Sequence, residues 1–136
     1  MRAKLGVVVA SLGFLGAAVP VVAHHAFAAE YDATKPITVK GVVTKVEWTN
    51  PHARFYVDAP DEKGTMTNWN FELASPNSLV RHGWSRKSLN VGDQVTVKAF
   101  LSKVPNTTKA NATAVTLADG REVFAGSSAG DAPPNR

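Results

Sequence analysis

Residues Ile37 to Trp69 read ITVKGVVTKVEWTNPHARFYVDAPDEKGTMTNW. Apolar and polar residues alternate on both sides of a Thr-Asn-Pro-His corner, a pattern typical of β-strands with one buried face. We therefore predict a first strand from Ile37 to Trp48, a second from His52 to Asp58 and a third from Met66 to Leu73. The apolar phase changes at Gly41, which indicates a bulge or a sharp bend in the first strand.

The rest of the chain supplies the other half of a small barrel. Ser75 and Pro76 have the types expected at the start of a helix, and Gly83 the type expected after its end. The predicted elements are a helix at 75–83, strands at 94–101 and 110–117, and a short strand at 122–124 after an Asp-Gly hairpin turn. This order predicts an all-β fold with small α content: an OB-fold-like, five- to six-stranded antiparallel β-barrel with one short helix between strands 3 and 4. An open meander is the alternative.

The N-terminus has the features of a secretory signal peptide. A basic start that contains Arg2 and Lys4 precedes an apolar run too short for a typical membrane anchor, although a retained single-pass anchor is the alternative. Cleavage after Ala23 makes His24 the first mature residue, whereas cleavage after Ala28 removes it. We favour Ala23 and predict a periplasmic or secreted protein with no transmembrane span after cleavage.

The mature chain divides into three parts on its composition. Residues 24–36 form an N-terminal arm, in which Phe27 and Tyr31 are candidates to anchor the arm to the barrel. Residues 37–124 form the barrel domain. Residues 125–136 are mostly Gly, Ser, Ala, Pro and Asn, a composition that cannot bury a core, and we predict that this tail is disordered.

Composition limits the classes of function. The formal net charge is +4, and two of the 15 basic residues lie in the predicted leader, which leaves 13 against 11 acidic residues. Such a balance lacks the basic excess of a nucleic-acid binder. The chain has no cysteine, so disulfides and thiolate metal sites are excluded. No catalytic motif occurs, and an enzyme is the least favoured class.

Several segments together resemble a known family. They are HHAFAAEYD at 24–32, GVVTKVEWTNPH at 41–52, SPN at 75–77, GW at 83–84 and TLADGR at 116–121. In these segments the chain resembles the small exported bacterial proteins catalogued as domain of unknown function 6152, over nearly all of the mature length. The resemblance implies export and a compact β domain. It implies no activity and assigns no functional residue, because none is established for the family.

Histidines are the candidate metal ligands. A mature start at His24 presents its amine and its imidazole together, a chelate that suits Cu(II). His25 adds another nitrogen, and His52 lies at the barrel rim, where the arm can fold back to meet it. We therefore predict a Cu(II) or other transition-metal site at His24, His25 and His52; the alternative is that these histidines are incidental. His82 is placed to bond the last carbonyls of the short helix, a structural role.

The outward side of strands 2 and 3 is the second candidate site, for a small ligand or an envelope partner protein. OB-folds often bind ligands on this face, and the polar mix here suits a small polar molecule, a sugar or a protein better than a nucleic acid. A purely structural or interaction protein that uses this face without metal is the alternative function, and a solvated face without any ligand is the plainest interpretation. Besides His52, the face comprises Arg54, Tyr56, Asn68, Asn70 and Glu72.

Overall fold

The computed structural model describes residues 27–61 and 63–124. The predicted signal peptide, His24, His25 and the tail beyond residue 124 lie outside these residues. Residues 27–30 are helical. The strands are β1 (Tyr31–Glu47), β2 (Arg54–Pro60), β3 (Met66–Glu72), β4 (Gln94–Ser102), β5 (Lys109–Leu117) and β6 (Glu122–Phe124), and the helix α1 (Pro76–Arg81) lies between β3 and β4.

The strands form a closed ring. Neighbours follow the order β3-β2-β1-β4-β5, and β3 also pairs with β5, which joins the two ends; β6 adds to β5. The closing pairs run from Asn70↔Lys109 to Glu72↔Asn111. This ring, with its helix between β3 and β4, confirms the OB-like arrangement and rules out the open meander. The closing pair is parallel, whereas every other pair is antiparallel.

Strand β1 is longer than the sequence pattern indicates. It begins at Tyr31, where Tyr31 pairs with Ser102, so the second half of the predicted arm belongs to the sheet. The pattern misses this start because residues 32–35 are mostly exposed and do not alternate in burial: the register with β4 jumps from Tyr31↔Ser102 to Pro36↔Phe100, so these residues bulge out of the ladder. The predicted bulge occurs at Val43/Lys45, slightly beyond Gly41.

Gly41 has a different role from a bulge. A Cβ atom at this position would lie 2.1 Å from the Asp58 carbonyl oxygen and 2.8 Å from the Ala59 Cβ. The absence of a side chain therefore allows β2 to cross β1 at close range, where β1 passes from its β4 partner to its β2 partner. Pairing with β2 begins at Val42↔Asp58.

Residues predicted to face inward make the core. Phe55, Val57, Phe71 and Val97 are fully buried, as the alternation predicts. The helix closes one end of the ring: the Ser75 hydroxyl accepts a hydrogen bond from the Ser78 N–H, and Leu79, Trp84 and Leu89 join the core there. Beyond the helix, His82 Nδ1 lies 2.8 Å from the Ser78 carbonyl, the structural role predicted for it.

Candidate functional site

A buried carboxylate dominates the outer face of β2 and β3. Alternation along β3 places Glu72 on the outward side, as predicted, yet Glu72 is only 2% exposed. Its Oε2 accepts hydrogen bonds from the Tyr31 hydroxyl at 2.9 Å and from Arg54 Nη2 at 2.5 Å. Its Oε1 lies 3.1 Å from His52 Nδ1. Three side chains from three segments of the chain therefore converge on one carboxylate.

The cost of burying this carboxylate is offset by its partners. Arg54 stands directly opposite Glu72 in the β2–β3 register, so the antiparallel pairing itself brings the charges together. Burial raises the pKa of Tyr31, and the negative charge of Glu72 raises it further, so the phenol remains a hydrogen-bond donor. A paired and hydrogen-bonded charge is the form in which a carboxylate is tolerated in a buried position.

The segment before β1 folds back against β4 and the start of β5. The Phe27 ring lies 5.6 Å from the Tyr31 ring and 6.3 Å from that of Phe100. The Lys103 N–H donates to the Glu30 carbonyl at 2.9 Å, and Lys109 forms an ion pair with the Glu30 carboxylate. The predicted anchoring of the arm through Phe27 and Tyr31 is confirmed, and Tyr31, at the start of β1, is the residue of the arm that contacts Glu72.

His52 joins the network from the β1–β2 turn. The turn contains the cis Asn50–Pro51 peptide bond, and the His52 side chain is 36% exposed. A neutral His52 that donates from Nδ1 to Glu72 keeps a lone pair on Nε2. Carboxylates commonly orient metal-binding histidines in this way, through the ring nitrogen that does not bind the metal. The contact with Glu72 thus engages one ring nitrogen of His52 and leaves the other outside the network.

The other polar residues of the face bond mainly to one another. Arg54 Nη1 donates to Asn70 Oδ1 at 3.3 Å, and Asn68 Nδ2 donates to Asp58 Oδ1 at 2.7 Å. The Tyr56 hydroxyl donates to Glu47 at 3.2 Å. These bonds use much of the face's hydrogen-bonding capacity within the protein itself.

Glu47, at the edge of this face, is ionised because of the groups that bond it. A hydrogen bond from Lys45 is the main reason that the pKa of Glu47 lies below its usual value, and the Tyr56 hydroxyl contributes in the same direction. The same pair raises the pKa of Lys45. Lys45 also lies 5.3 Å from the centre of the Tyr56 ring. Both charged groups are therefore ionised at neutral pH.

The predicted metal ligands are only partly described. Within 27–61 and 63–124 no group of three or more His, Asp or Glu side chains could hold a metal ion. His52 is described, whereas His24 and His25 lie outside these residues. Of the three predicted ligands, the described part of the chain therefore contains His52 alone.

Tyr31 is the site residue whose role the sequence pattern missed. It was predicted to anchor the arm, but not to bond a carboxylate 41 residues away in sequence. The Arg54–Glu72 pair, by contrast, joins two residues that the alternation predicted to share one outward face. The β2–β3 register of the structure sets them directly opposite each other.

Fold and site together define a small β-ring protein of the OB type with a buried carboxylate on its charged outer face. The profile of a family described as "Family of unknown function (DUF6152)" matches residues 12–111, and the chain belongs to this family. No curated protein and no solved structure matches the chain. Among the helices in the described part, none is long and apolar enough to span a membrane.

Proposed function

We propose that this protein is an exported, periplasmic or secreted, metal-binding module that holds Cu(II) through His52, His24 and His25. The observation that carries the proposal is the 3.1 Å contact between His52 Nδ1 and the buried Glu72. This contact fixes the orientation of the ring and leaves Nε2 as the ligand atom. Glu72 thus serves as the outer-shell partner that protein metal sites typically provide.

The donor set favours copper among the common transition metals. The amine and imidazole of His24, with the rings of His25 and His52, offer nitrogen atoms only, and the chain contains no cysteine to favour softer ions. Cu(II) prefers nitrogen donors in a square array and binds most tightly among the divalent ions of its row.

The position of the N-terminal segment supports convergence on His52. Phe27 packs on Tyr31, and Tyr31 shares the Glu72 carboxylate with His52. His25 is two residues from Phe27 in sequence, and each residue spans at most about 3.5 Å. Phe27, the first described residue, is thus linked through Tyr31 to the carboxylate that His52 also contacts, which supports the proposal.

The same contacts support cleavage after Ala23. Phe27 packs against Tyr31 and Phe100, and the Ala28 carbonyl accepts a hydrogen bond from Lys103. Cleavage after Ala28 removes both of these groups from the folded protein. A leader is discarded after export, so residues that pack on the ring belong to the mature chain.

Calorimetric titration with Cu(II) tests the proposal on exported protein whose start at His24 has been verified by intact mass. We expect one tight site per chain. His52→Ala removes a ligand and should weaken binding by more than about tenfold. Glu72→Gln removes the outer-shell carboxylate and should weaken it by about tenfold.

His82→Asn is the matched control, because it removes a histidine at the helix end and should leave the affinity unchanged. A mature start at Ala29, or binding that His52→Ala does not change, contradicts the proposal. The second result leaves an interaction role for Arg54, Tyr56 and their neighbours as the competing explanation.

A further inference from the structure

The end of the ring opposite the helix is an open cleft of about 770 Å³. Inward-facing side chains from three strands form its apolar floor: Ile37, Val39, Trp69 and Leu101. The β2–β3 turn and the β4–β5 loop, including Thr108, form its rim. A cleft of this size at the mouth of a β-barrel is in the range that binds small molecules.

The cleft stays open because the strands separate there. The β1–β2 register would place Lys40 opposite Pro60, but pairing stops at Val42↔Asp58. Proline has no N–H to donate across to β1, so β2 cannot extend the ladder. Beyond this point β1 pairs with β4 alone, and the cleft opens beside its free edge.

Aromatic rings lead from the core to this cleft. Phe55 and Phe71 stack with centroids 5.2 Å apart, and Phe71 and Trp69 stack at 6.1 Å with planes only 15° apart. Trp69 is the last ring of the row and is half-buried in the cleft wall. A planar ring in the cleft would continue the row with the offset stacking that aromatic pairs prefer.

Trp69 also carries an unused hydrogen-bond donor. Its Nε1 is buried, and no described residue accepts a hydrogen bond from it. Buried indole N–H groups normally have a partner, and an unpaired one calls for a specific explanation. An oxygen acceptor on a molecule in the cleft would supply the missing hydrogen-bond partner of Nε1, after a small movement of the indole.

We propose that the open end of the ring binds a small planar aromatic molecule that bears a carbonyl or similar oxygen. The ring stacks in line with Trp69, and the oxygen accepts from Nε1. This site is separate from the proposed metal site, since His52 lies in the β1–β2 turn and none of the cleft residues belongs to the Glu72 network.

Titration of the mature protein with coumarin tests the proposal by NMR, since coumarin is neutral, planar and has a carbonyl acceptor. The three tryptophan indole resonances are assigned with single Trp→Phe variants. We expect a saturable downfield shift of the Trp69 indole N–H. δ-Octalactone, an aliphatic lactone with the same acceptor but no planar ring, should bind at least about tenfold more weakly.

Trp69→Phe keeps an aromatic ring and removes the N–H. It should weaken coumarin binding by about tenfold. In this variant the binding is followed through the Thr108 amide resonance. Trp84→Phe, at the helix end, is the control and should leave binding unchanged. Shifts confined to Trp48 or Trp84, equal binding of the two lactones, or no saturable shift overturns the proposal. The comparison of the two lactones needs only the wild-type protein, so it is decisive even if a variant fails to fold.

Discussion

At the scale of single residues, Glu72 is the residue whose interactions matter most to the outer face. It is buried, and its two oxygens are shared among Tyr31, Arg54 and His52. Loss of one partner leaves the charge less compensated and costs more than the bond itself contributes. The network therefore couples the stability of the outer face to the orientation of His52.

Tyr31→Phe tests this coupling through stability. The variant removes a hydrogen bond to a charged group, and we expect the free energy of unfolding to fall by about 1.5–3 kcal/mol at pH 8. Urea unfolding followed by circular dichroism measures the loss. A loss below about 0.5 kcal/mol would contradict a network that depends on the phenol.

The same variant has a predictable pH dependence. The folded pKa of Tyr31 lies above its usual value of 10.0, so its contribution to stability is complete below pH 10 and is lost as the pH rises toward the folded pKa. Wild-type stability should therefore fall relative to Tyr31→Phe by about 1.4 kcal/mol per pH unit above pH 10. Unfolding at pH 9, 10 and 11 measures this. A difference that stays constant across the series would show that Tyr31 titrates alike in both states.

At the scale of elements, β1 is the strand that allows the ring to close. Its first half pairs with β4 and its second half with β2, and Gly41 lies where the partners change. A strand shared between two neighbours has to bend sharply, and the bend brings the β2 backbone into the space that a side chain would occupy. Glycine is required at this position for close approach and not for its backbone angles.

Gly41→Ala should be strongly destabilising for this reason. The added methyl group meets the Asp58 carbonyl, a backbone atom that cannot rotate away, and we expect a loss of about 3 kcal/mol or more. Gly64→Ala is the matched control. Its φ of +79° costs about 1 kcal/mol with an alanine, but no atom lies within 4 Å of the new Cβ. Equal losses in the two variants, measured by chemical unfolding, would refute close approach as the role of Gly41.

At the scale of the whole molecule, the ring has two unlike ends and one carboxylate buried on its outer face. Helix α1 and Trp84 close one end, and the cleft beside Trp69 opens the other. Phe27 packs against Tyr31, and the Tyr31 hydroxyl bonds the buried Glu72 on the outer face. The metal and aromatic proposals therefore concern different surfaces, and each can fail without the other.

Phe27→Ala tests whether the N-terminal segment is part of the folded unit. The ring is half-buried against Tyr31 and Phe100, and its loss should lower the free energy of unfolding by about 1–2 kcal/mol. Hydrogen exchange gives the local readout. The Lys103 amide, which donates to the Glu30 carbonyl, should exchange faster while the Phe71 amide in β3 stays protected.

Phe27→Leu is the control for this variant, since it keeps apolar contact and should recover most of the stability. Unchanged protection at Lys103 in Phe27→Ala would show that the segment is held by its backbone bonds alone. Uniformly faster exchange, including at Phe71, would show that the segment unfolds only together with the ring.

The sequence by itself determined the strands, the short helix and their order. Alternation identifies Phe55, Val57 and Phe71 as inward-facing, and Ser75 and Pro76 locate the helix start, because these features depend on neighbours in the chain. The same alternation assigned Arg54 and Glu72 to one outward face, whereas their pairing follows from the β2–β3 register of the structure.

Only the tertiary structure decided that Glu72 on this face is buried and which end of the ring stays open. Glu72 is buried by Tyr31, from a segment far away in sequence, and no local pattern encodes that contact. The cleft beside Trp69 likewise depends on where β1 and β2 separate in space. Local periodicity reports whether a side chain faces in or out, whereas burial and cleft formation depend on contacts between distant segments, which only the folded chain brings together.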